Sequence, residues 1–168
     1  RISKPLLIEV LDTIEQVATA KGQLIHYNIE LKSELALEGV YHPEVAVFCQ
    51  VAYQAINDQV DWRRITIQSF DFRILRYFNK YYPEVQLALL IENKLSWELN
   101  IDSLGFKPEI YSCEYALLSA ETISELQEKN MKVIPWTVND SLDMRQLIHW
   151  GVNGLITDYP NIALQIFN

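Results

Sequence analysis

RITIQSFDFRILRYFNKYYPEVQLALLI, residues 64–91, contains a strand, a helix and a second strand in succession. Residues 64–69 have the pattern of a strand, and residues 71–82 that of a helix that stops at Pro83. Residues 85–91 are almost continuously apolar, which is typical of a strand buried on both faces. Because no two-residue hairpin turn joins the strands, the segment predicts parallel βαβ construction.

The same alternation extends along the rest of the chain. Apolar spacing and helix-boundary residues predict helices at residues 5–20, 48–56, 71–82, 119–130, 140–150 and from residue 160 onward. Six strands are predicted between them, at residues 24–31, 64–69, 85–91, 109–113, 132–138 and 153–157. Residues 93–104 are less clear and are interpreted as a loop with a short helix. We expect one domain over residues 1–168, since no linker or low-complexity stretch divides it.

Two α/β architectures fit six parallel strands. One is an open, doubly wound sheet, which suits 168 residues. The other is a closed eight-stranded (β/α) barrel, which typically needs about 250 residues, so that this chain would be three-quarters of one. No GxGxxG or GxxxxGK[ST] loop follows the first strand, which removes the commonest reason to favour a nucleotide-binding sheet.

Composition excludes several classes of protein. Apolar residues make up 49% of the chain, enough for a substantial core. The formal net charge of −8 disfavours nucleic acid as a partner, because the chain would repel the phosphate backbone. No apolar run approaches the roughly 18 residues of a membrane span. Cys49 and Cys113 are far apart and predict neither a disulfide framework nor a zinc site.

The most informative polar pattern lies in the first strand, where residues 28–32 read NIELK. Strand periodicity places Asn28, Glu30 and Lys32 on one face and Ile29 and Leu31 on the other. In a parallel barrel the polar face would point inward and rise towards the carboxyl end of the strand, where such folds carry their sites. A carboxylate suits a hard cation and an ammonium suits a phosphate oxygen. The alternative is a structural ion pair at a strand end.

Four segments together resemble the glycerophosphodiester phosphodiesterase family. They occur in the family's order, each at the end of a predicted strand, and extend from the first strand to the last. They are NIELK at residues 28–32, IQSFD at 67–71, WTVN at 136–139 and GLITDYP at 154–160. The helix before them, which contains Ile8, Glu9, Val10 and Leu11, is also similar to the family's helix.

The resemblance implies a TIM-type (β/α) barrel that hydrolyses glycerophosphodiesters to glycerol 3-phosphate and an alcohol. It implies a divalent metal cofactor, Mg²⁺ or Ca²⁺, and a small-molecule phosphodiester substrate. Glu30 matches a metal ligand of the family, and Lys32 matches a lysine near the phosphate. Phe70 and Trp136 match aromatic positions around the substrate, although both residue types are also common in protein cores.

Other family motifs are absent from the sequence. The HRG motif, the PEN segment, the Glu-x-Asp pair and the HD motif are missing, and His26, His42 and His149 do not stand in such contexts. We therefore expect no catalytic histidine in this chain and one of three acidic metal ligands. The chain, which begins at Arg1, is interpreted as the last six βα units of a barrel, a fragment that would be inactive alone.

Two other functions are compatible with the sequence. The first is a related phosphodiesterase that acts on lysophospholipids or phosphoinositides. The second is a non-catalytic ligand-binding barrel domain, which the missing histidines favour and the presence of Glu30 and Lys32 disfavours. The compartment (cytoplasmic, or periplasmic or secreted) and the oligomeric state are left open by the sequence.

Overall fold

The computed structural model describes residues 4–167, in which strands and helices alternate as predicted. The helices are α1 (Leu7–Ala20), α2 (Val45–Asn57), α3 (Phe72–Tyr81), α4 (Trp97–Leu104), α5 (Ala120–Glu128), α6 (Ser141–His149) and α7 (Pro160–Phe167). The strands are β1 (Tyr27–Glu30), β2 (Ile65–Ser69), β3 (Gln86–Ile91), β4 (Ile110–Cys113) and β5 (Lys132–Val133). The chain divides into two compact units, Arg1–Gln86 and Leu87–Asn168.

In the first unit, β1 and β2 pair in parallel. Tyr27 lies opposite Ile65 and Glu30 lies opposite Gln68. Tyr27, Leu31, Ile65 and Ile67 are buried on one face, whereas Asn28 is exposed and Glu30 is half-buried on the other. Burial of Leu31 and exposure of Asn28 follow the predicted apolar and polar faces of the first strand, whereas Ile29 is half-buried like Glu30.

Helices supply the core on the apolar face of these strands. Ile74, Leu75 and Phe78 of α3 are fully buried, at the i, i+1 and i+4 spacing of a helix face. Burying side chains of this size stabilises the fold by about 1.5–3 kcal/mol each. Asp71 begins α3 by accepting a hydrogen bond from the Arg73 amide, so that the helix starts directly after the end of β2.

A polar cluster connects α1 to the amino ends of the two strands. Arg64 donates to both carboxylate oxygens of Glu15, at 3.0 and 2.6 Å, and the Tyr27 hydroxyl donates to the same carboxylate at 2.5 Å. The hydrogen bonds from Arg64 and Tyr27 lower the pKa of Glu15. Burial, followed by the contact with Glu15, raises the pKa of Tyr27 to about 12.

In the second unit, β3, β4 and β5 form parallel pairs in sequence order. All of β3 from Leu87 to Ile91 is buried, as its continuous apolar pattern predicts. Ser96, Ser119 and Asp140 cap α4, α5 and α6 by accepting backbone amide hydrogen bonds. The segment at residues 93–104, which the sequence left unclear, thus contains a capped two-turn helix.

The end of the chain differs from the prediction. The predicted strand at 132–138 is reduced to Lys132–Val133, and residues 153–157 form no regular strand. Pro135 has no amide hydrogen to continue a ladder, and the Val133 amide donates to the Asn153 side chain at 2.8 Å. The two segments are still joined by backbone hydrogen bonds from Asn153 to Val133 and from Ile156 to Pro135. They therefore run side by side as irregular extended chain.

None of the helices among residues 4–167 combines the length and the apolar character needed to cross a membrane.

Replacing Tyr27 by Phe tests the cluster at α1. Because the folded pKa of Tyr27, about 12, exceeds the ordinary value of 10, its contribution to stability is complete below pH 10 and is lost between pH 10 and 12. We expect Tyr27→Phe to lower the free energy of unfolding by about 1 kcal/mol at neutral pH. In urea titrations, the free energy of unfolding of Tyr27→Phe should fall less steeply between pH 10 and 12 than that of the wild type. Tyr81 is exposed, so the free energy of unfolding of Tyr81→Phe should follow the pH dependence of the wild type. The same pH dependence in all three proteins would contradict a stabilising role of the Tyr27 hydroxyl.

Candidate functional site

Glu30 and Lys32 lie at the carboxyl end of β1 with their charged groups close together. The Lys32 Nζ atom is 3.5 Å from Glu30 Oε2. The Lys32 side chain is 77% exposed and that of Glu30 is 25% exposed, so solvent reaches both. Exposed ion pairs contribute only about 0–1 kcal/mol to stability. Both charges are therefore open to an added ligand at little cost to the fold.

Hydrogen bonds from β2 fix the backbone between these two residues. The Leu31 amide donates to the Gln68 carbonyl at 2.9 Å. The Leu31 carbonyl accepts a hydrogen bond of 2.6 Å from the buried Ser69 hydroxyl. With both of its polar groups held and its side chain buried, Leu31 directs Glu30 and Lys32 to the same face.

Ser33, the residue after Lys32, is also fixed by a side-chain hydrogen bond. The Ser33 hydroxyl donates to Asp71 at 2.6 Å, and Arg73 pairs with Asp71 at 2.6 Å and with Glu38 at 2.7 Å. Burial alone would raise the pKa of Asp71, but the hydrogen bonds from Arg73 and Ser33 bring its pKa below the usual value. Asp71 therefore remains ionised and connects the loop after β1 to the start of α3.

The polar face continues onto β2. The Asn28 side-chain amide donates to the Gln68 side chain at 2.8 Å, across the parallel pair. Phe70 follows Ser69 immediately and is 41% exposed. The NIELK and IQSFD segments thus form one connected surface in the first unit, which includes Glu30, Lys32 and Phe70.

In the second unit, Trp136 follows β5 and is fixed through its backbone and its ring. Its amide donates to the Cys113 carbonyl, its carbonyl accepts from the Tyr115 amide, and its indole Nε1 donates to the Ser112 carbonyl at 2.9 Å. The residue is half-buried, and its peptide bond to Thr137 is cis. Trp136 is thereby held beside Glu114, just beyond the end of β4.

The WTVN and GLITDYP segments meet at Asn139. Its side-chain amide nitrogen donates to Asp158 at 2.9 Å. Its side-chain oxygen accepts from the Asp158 amide at 3.0 Å and from the Thr157 hydroxyl at 3.2 Å. These contacts join the chain after β5 to the start of α7.

We call the candidate site of Glu30 and Lys32 the β1 site. The histidines and cysteines among residues 4–167 do not show the surroundings of catalytic groups. His42 lies against Phe48, and its Nε2 is 3.1 Å from the Glu34 amide, so it holds the loop after β1. His149 ends α6, and His26 is exposed before β1. Burial raises the pKa of both the Cys49 and the Cys113 thiols to about 12, which makes them poor nucleophiles. Within residues 4–167, no three His, Cys, Asp or Glu side chains cluster as a metal site.

Sequence reasoning did not identify the groups that orient these residues. Ser69, Asp71 and Asn139 stand inside the quoted segments, but only the charged pair and the aromatic residues received roles. Each of these residues has a short side chain with a hydroxyl, carboxylate or amide group and stands at or after the end of a strand. Such side chains often bond the backbone of a neighbouring loop, which is the sequence pattern that could have indicated their role.

Comparison with known proteins identifies the family. The sequence model of the glycerophosphoryl diester phosphodiesterase family matches residues 3–162. The chain belongs to this family. A glycerophosphodiester phosphodiesterase from Bacillus altitudinis is 29% identical over 98% of the chain and 63% of its own length. The chain spans 52% to 63% of the length of the first two curated relatives that it matches.

Solved structures of the glycerophosphoryl diester phosphodiesterase family share the fold. A Silicibacter pomeroyi protein named for the family superposes with a TM-score of 0.80 at 23% identity, over 96% of this chain and 55% of that one. An Oleispira antarctica phosphodiesterase in complex with its product sn-glycerol-3-phosphate gives 0.78 at 18% identity, over 97% and 61%. At these identities the likeness concerns the fold, and it confirms the predicted parallel (β/α) barrel type.

Asp71→Asn tests whether the carboxylate beside the site stabilises the fold. The folded pKa of Asp71 lies below its ordinary value of 3.8, so its contribution is present above that pH and is lost as the pH falls below it. We expect Asp71→Asn to lower the free energy of unfolding by about 1–2 kcal/mol at pH 7. The difference from the wild type should shrink towards pH 3. Asp102→Asn removes a charge from an exposed position of α4 and should change neither the free energy of unfolding at pH 7 nor its pH dependence. A loss of stability in Asp71→Asn that is the same at every pH would refute the electrostatic cause.

Proposed function

We propose that this chain supplies the cation- and phosphate-binding end of β1 in an enzyme that hydrolyses glycerophosphodiesters to glycerol 3-phosphate and an alcohol. The observation that carries the proposal is the pair Glu30 and Lys32. The two side chains share one solvent-accessible face, and hydrogen bonds to Leu31 fix the backbone between them. A carboxylate and an ammonium 3.5 Å apart match a phosphate oxygen shared with a divalent cation.

Glu30 fits the cation as one ligand among several. Mg²⁺ commonly binds one or two carboxylates and fills its remaining positions with water and substrate phosphate oxygens. Ca²⁺ also takes oxygen ligands, in larger number. One accessible carboxylate from this chain is enough for such a site, and Glu30 supplies it. No cluster of three possible ligands among residues 4–167 offers the cation another site. When bound, the cation would polarise the phosphoryl oxygen.

Lys32 would neutralise charge on the phosphate. Its ammonium is a mobile point charge on a long stem, and here the stem starts from a fixed backbone position. A donor aimed at oxygens whose charge increases during the reaction stabilises the transition state more than the bound substrate. The Asp71 carboxylate is already engaged by Arg73 and Ser33, and the partner of the Lys32 ammonium is Glu30.

Phe70 and Trp136 are proposed as apolar contacts for the substrate. Phe70 offers an exposed ring immediately after β2, and Trp136 offers a ring whose orientation is fixed by its bond to Ser112. Rings with limited freedom lose little conformational entropy when they contact a ligand. No acid or base role is proposed for the three histidines. His26 is exposed before β1, His42 holds the loop after β1, and His149 ends α6.

The relatives support the substrate class. Glycerophosphodiester phosphodiesterase is the name of the matched Bacillus altitudinis protein, and the Oleispira antarctica structure contains sn-glycerol-3-phosphate. This compound is therefore the natural probe for the β1 site.

Calorimetric titration of the chain with sn-glycerol 3-phosphate, at several concentrations of Mg²⁺ or Ca²⁺, tests the binding roles. We expect metal-dependent binding by the wild type. Glu30→Gln removes the charge that holds the cation, so about tenfold more metal should be needed for the same affinity. Lys32→Met should weaken phosphate binding by about tenfold or more at every metal concentration. Glu121→Gln and Lys80→Met change the same residue types at exposed positions and should match the wild type.

Turnover distinguishes the remaining functions. Release of glycerol 3-phosphate from a glycerophosphodiester, by the polypeptide that carries this chain, is the expected result. Metal-dependent binding without release would favour the non-catalytic ligand-binding domain, and hydrolysis of a lysophospholipid or phosphoinositide alone would favour the related phosphodiesterase. Wild-type metal affinity in Glu30→Gln would refute the role of Glu30.

A further inference from the structure

The second unit contains a cavity of about 230 Å³ between α4, α5 and β4. Its lining includes residues from the first turn of α4, from β4, from the turn after β4 and from α5, namely Trp97, Glu98, Tyr111, Cys113, Leu118 and Glu125. We call it the α4–α5 cavity. Benzene, with six carbons, binds in a cavity of about 150 Å³, so this cavity suits a ligand of about nine non-hydrogen atoms or fewer.

Two aromatic side chains line the α4–α5 cavity, and hydrogen bonds fix both of them. The Trp97 indole Nε1 donates to Glu125 Oε2 at 2.9 Å, which also connects α4 to α5. The buried Tyr111 hydroxyl accepts a hydrogen bond from the Asn100 side chain at 3.3 Å. Because these contacts hold the rings before a ligand enters, binding would order few further side chains. The face of a fixed aromatic ring attracts a cation.

The charged side chains that line the cavity are both acidic. They are Glu98 and Glu125, and none of the described residues on the lining is Lys, Arg or His. Within residues 4–167, the ion pairs between side chains involve neither of these carboxylates. Burial raises the pKa of Tyr111 to about 12 and the charge of Glu98 contributes to the shift, so Glu98 lies near the Tyr111 hydroxyl. The lining therefore favours a positively charged group, which would meet both carboxylates and the aromatic rings.

The rest of the lining suits a short apolar body attached to that charge. Leu117, Leu118 and Cys113 contribute apolar surface, and the last two are buried. We propose that the α4–α5 cavity binds small primary alkylammonium ions. A primary ammonium donates hydrogen bonds to carboxylates, whereas a quaternary ammonium has no hydrogen to donate. The inference concerns residues of the second unit alone and goes beyond the proposed hydrolysis.

An NMR titration of the isotope-labelled 168-residue chain with butylammonium tests the proposal. The indole N–H signal of Trp97 reports on the cavity and is identified by its loss in Trp97→Phe. The signals of the other tryptophans serve as internal references, namely Trp62, Trp136 and Trp150. We expect a saturable shift of the Trp97 signal alone, with a dissociation constant of about 1 mM. Butanol, which has the same carbon chain and no charge, should bind at least about tenfold more weakly, and tetramethylammonium should also bind more weakly.

Charge-removing variants test the two carboxylates. Glu125→Gln keeps an oxygen that can accept from Trp97 and removes only the charge, and Glu98→Gln removes the other charge. Each should weaken butylammonium binding by about fivefold or more. Glu128→Gln changes an exposed residue of α5 outside the lining and should bind like the wild type. A dispersed spectrum shared with the wild type shows that each variant is folded.

Four results would overturn the proposal. They are the absence of a saturable shift at Trp97, equal binding of butanol, tighter binding of tetramethylammonium, and wild-type affinity in both Glu98→Gln and Glu125→Gln. The measurement uses neither metal nor phosphodiester substrate, so its outcome is independent of the proposed hydrolysis.

Discussion

The Leu31 backbone is the point on which the candidate site depends. Its amide donates to the Gln68 carbonyl and its carbonyl accepts from the Ser69 hydroxyl, while its side chain is buried. Because neighbouring residues of an extended chain point in opposite directions, fixing Leu31 on the buried apolar face fixes Glu30 and Lys32 on the polar face. A shift of the strand by one residue would bury both charges and expose the apolar side chain.

Each unit joins two of the four family segments through short polar side chains. In the first unit, Ser69 and Asp71 of the second segment hold Leu31 and Ser33, on either side of Lys32. In the second unit, Asn139 of the third segment binds Thr157 and Asp158 of the fourth. Hydroxyl, amide and carboxylate side chains therefore fix the backbone that carries the candidate residues of each unit.

The sequence predicts the strands correctly where burial of one or both faces produces a regular pattern of apolar residues. Alternation in residues 28–32 gives the two faces of β1, and the continuous apolar run gives β3, since these patterns follow from one-sided and two-sided burial. The Val133 amide donates to the Asn153 side chain and not to a strand carbonyl. Such a side-chain contact leaves no periodic pattern in the sequence, so the shortened β5 and the irregular chain at 153–157 could not be predicted. The Ser69 and Asp71 contacts depend on residues about 38 positions away, which spacing alone does not reveal.

The net charge of −8 poses a physical problem for the phosphate-binding role proposed for Lys32. The protein's overall field repels the anion at long range, although salt screens this repulsion beyond about 8 Å at physiological ionic strength. Attraction must therefore arise locally. Lys32 supplies one positive charge, but Glu30 at 3.5 Å offsets it until a cation occupies the carboxylate. A divalent cation on Glu30 would reverse the local sign and leave Lys32 available to the phosphate. The same arrangement would disfavour phosphate binding before the metal, so the close contact between the two residues would impose an order of binding.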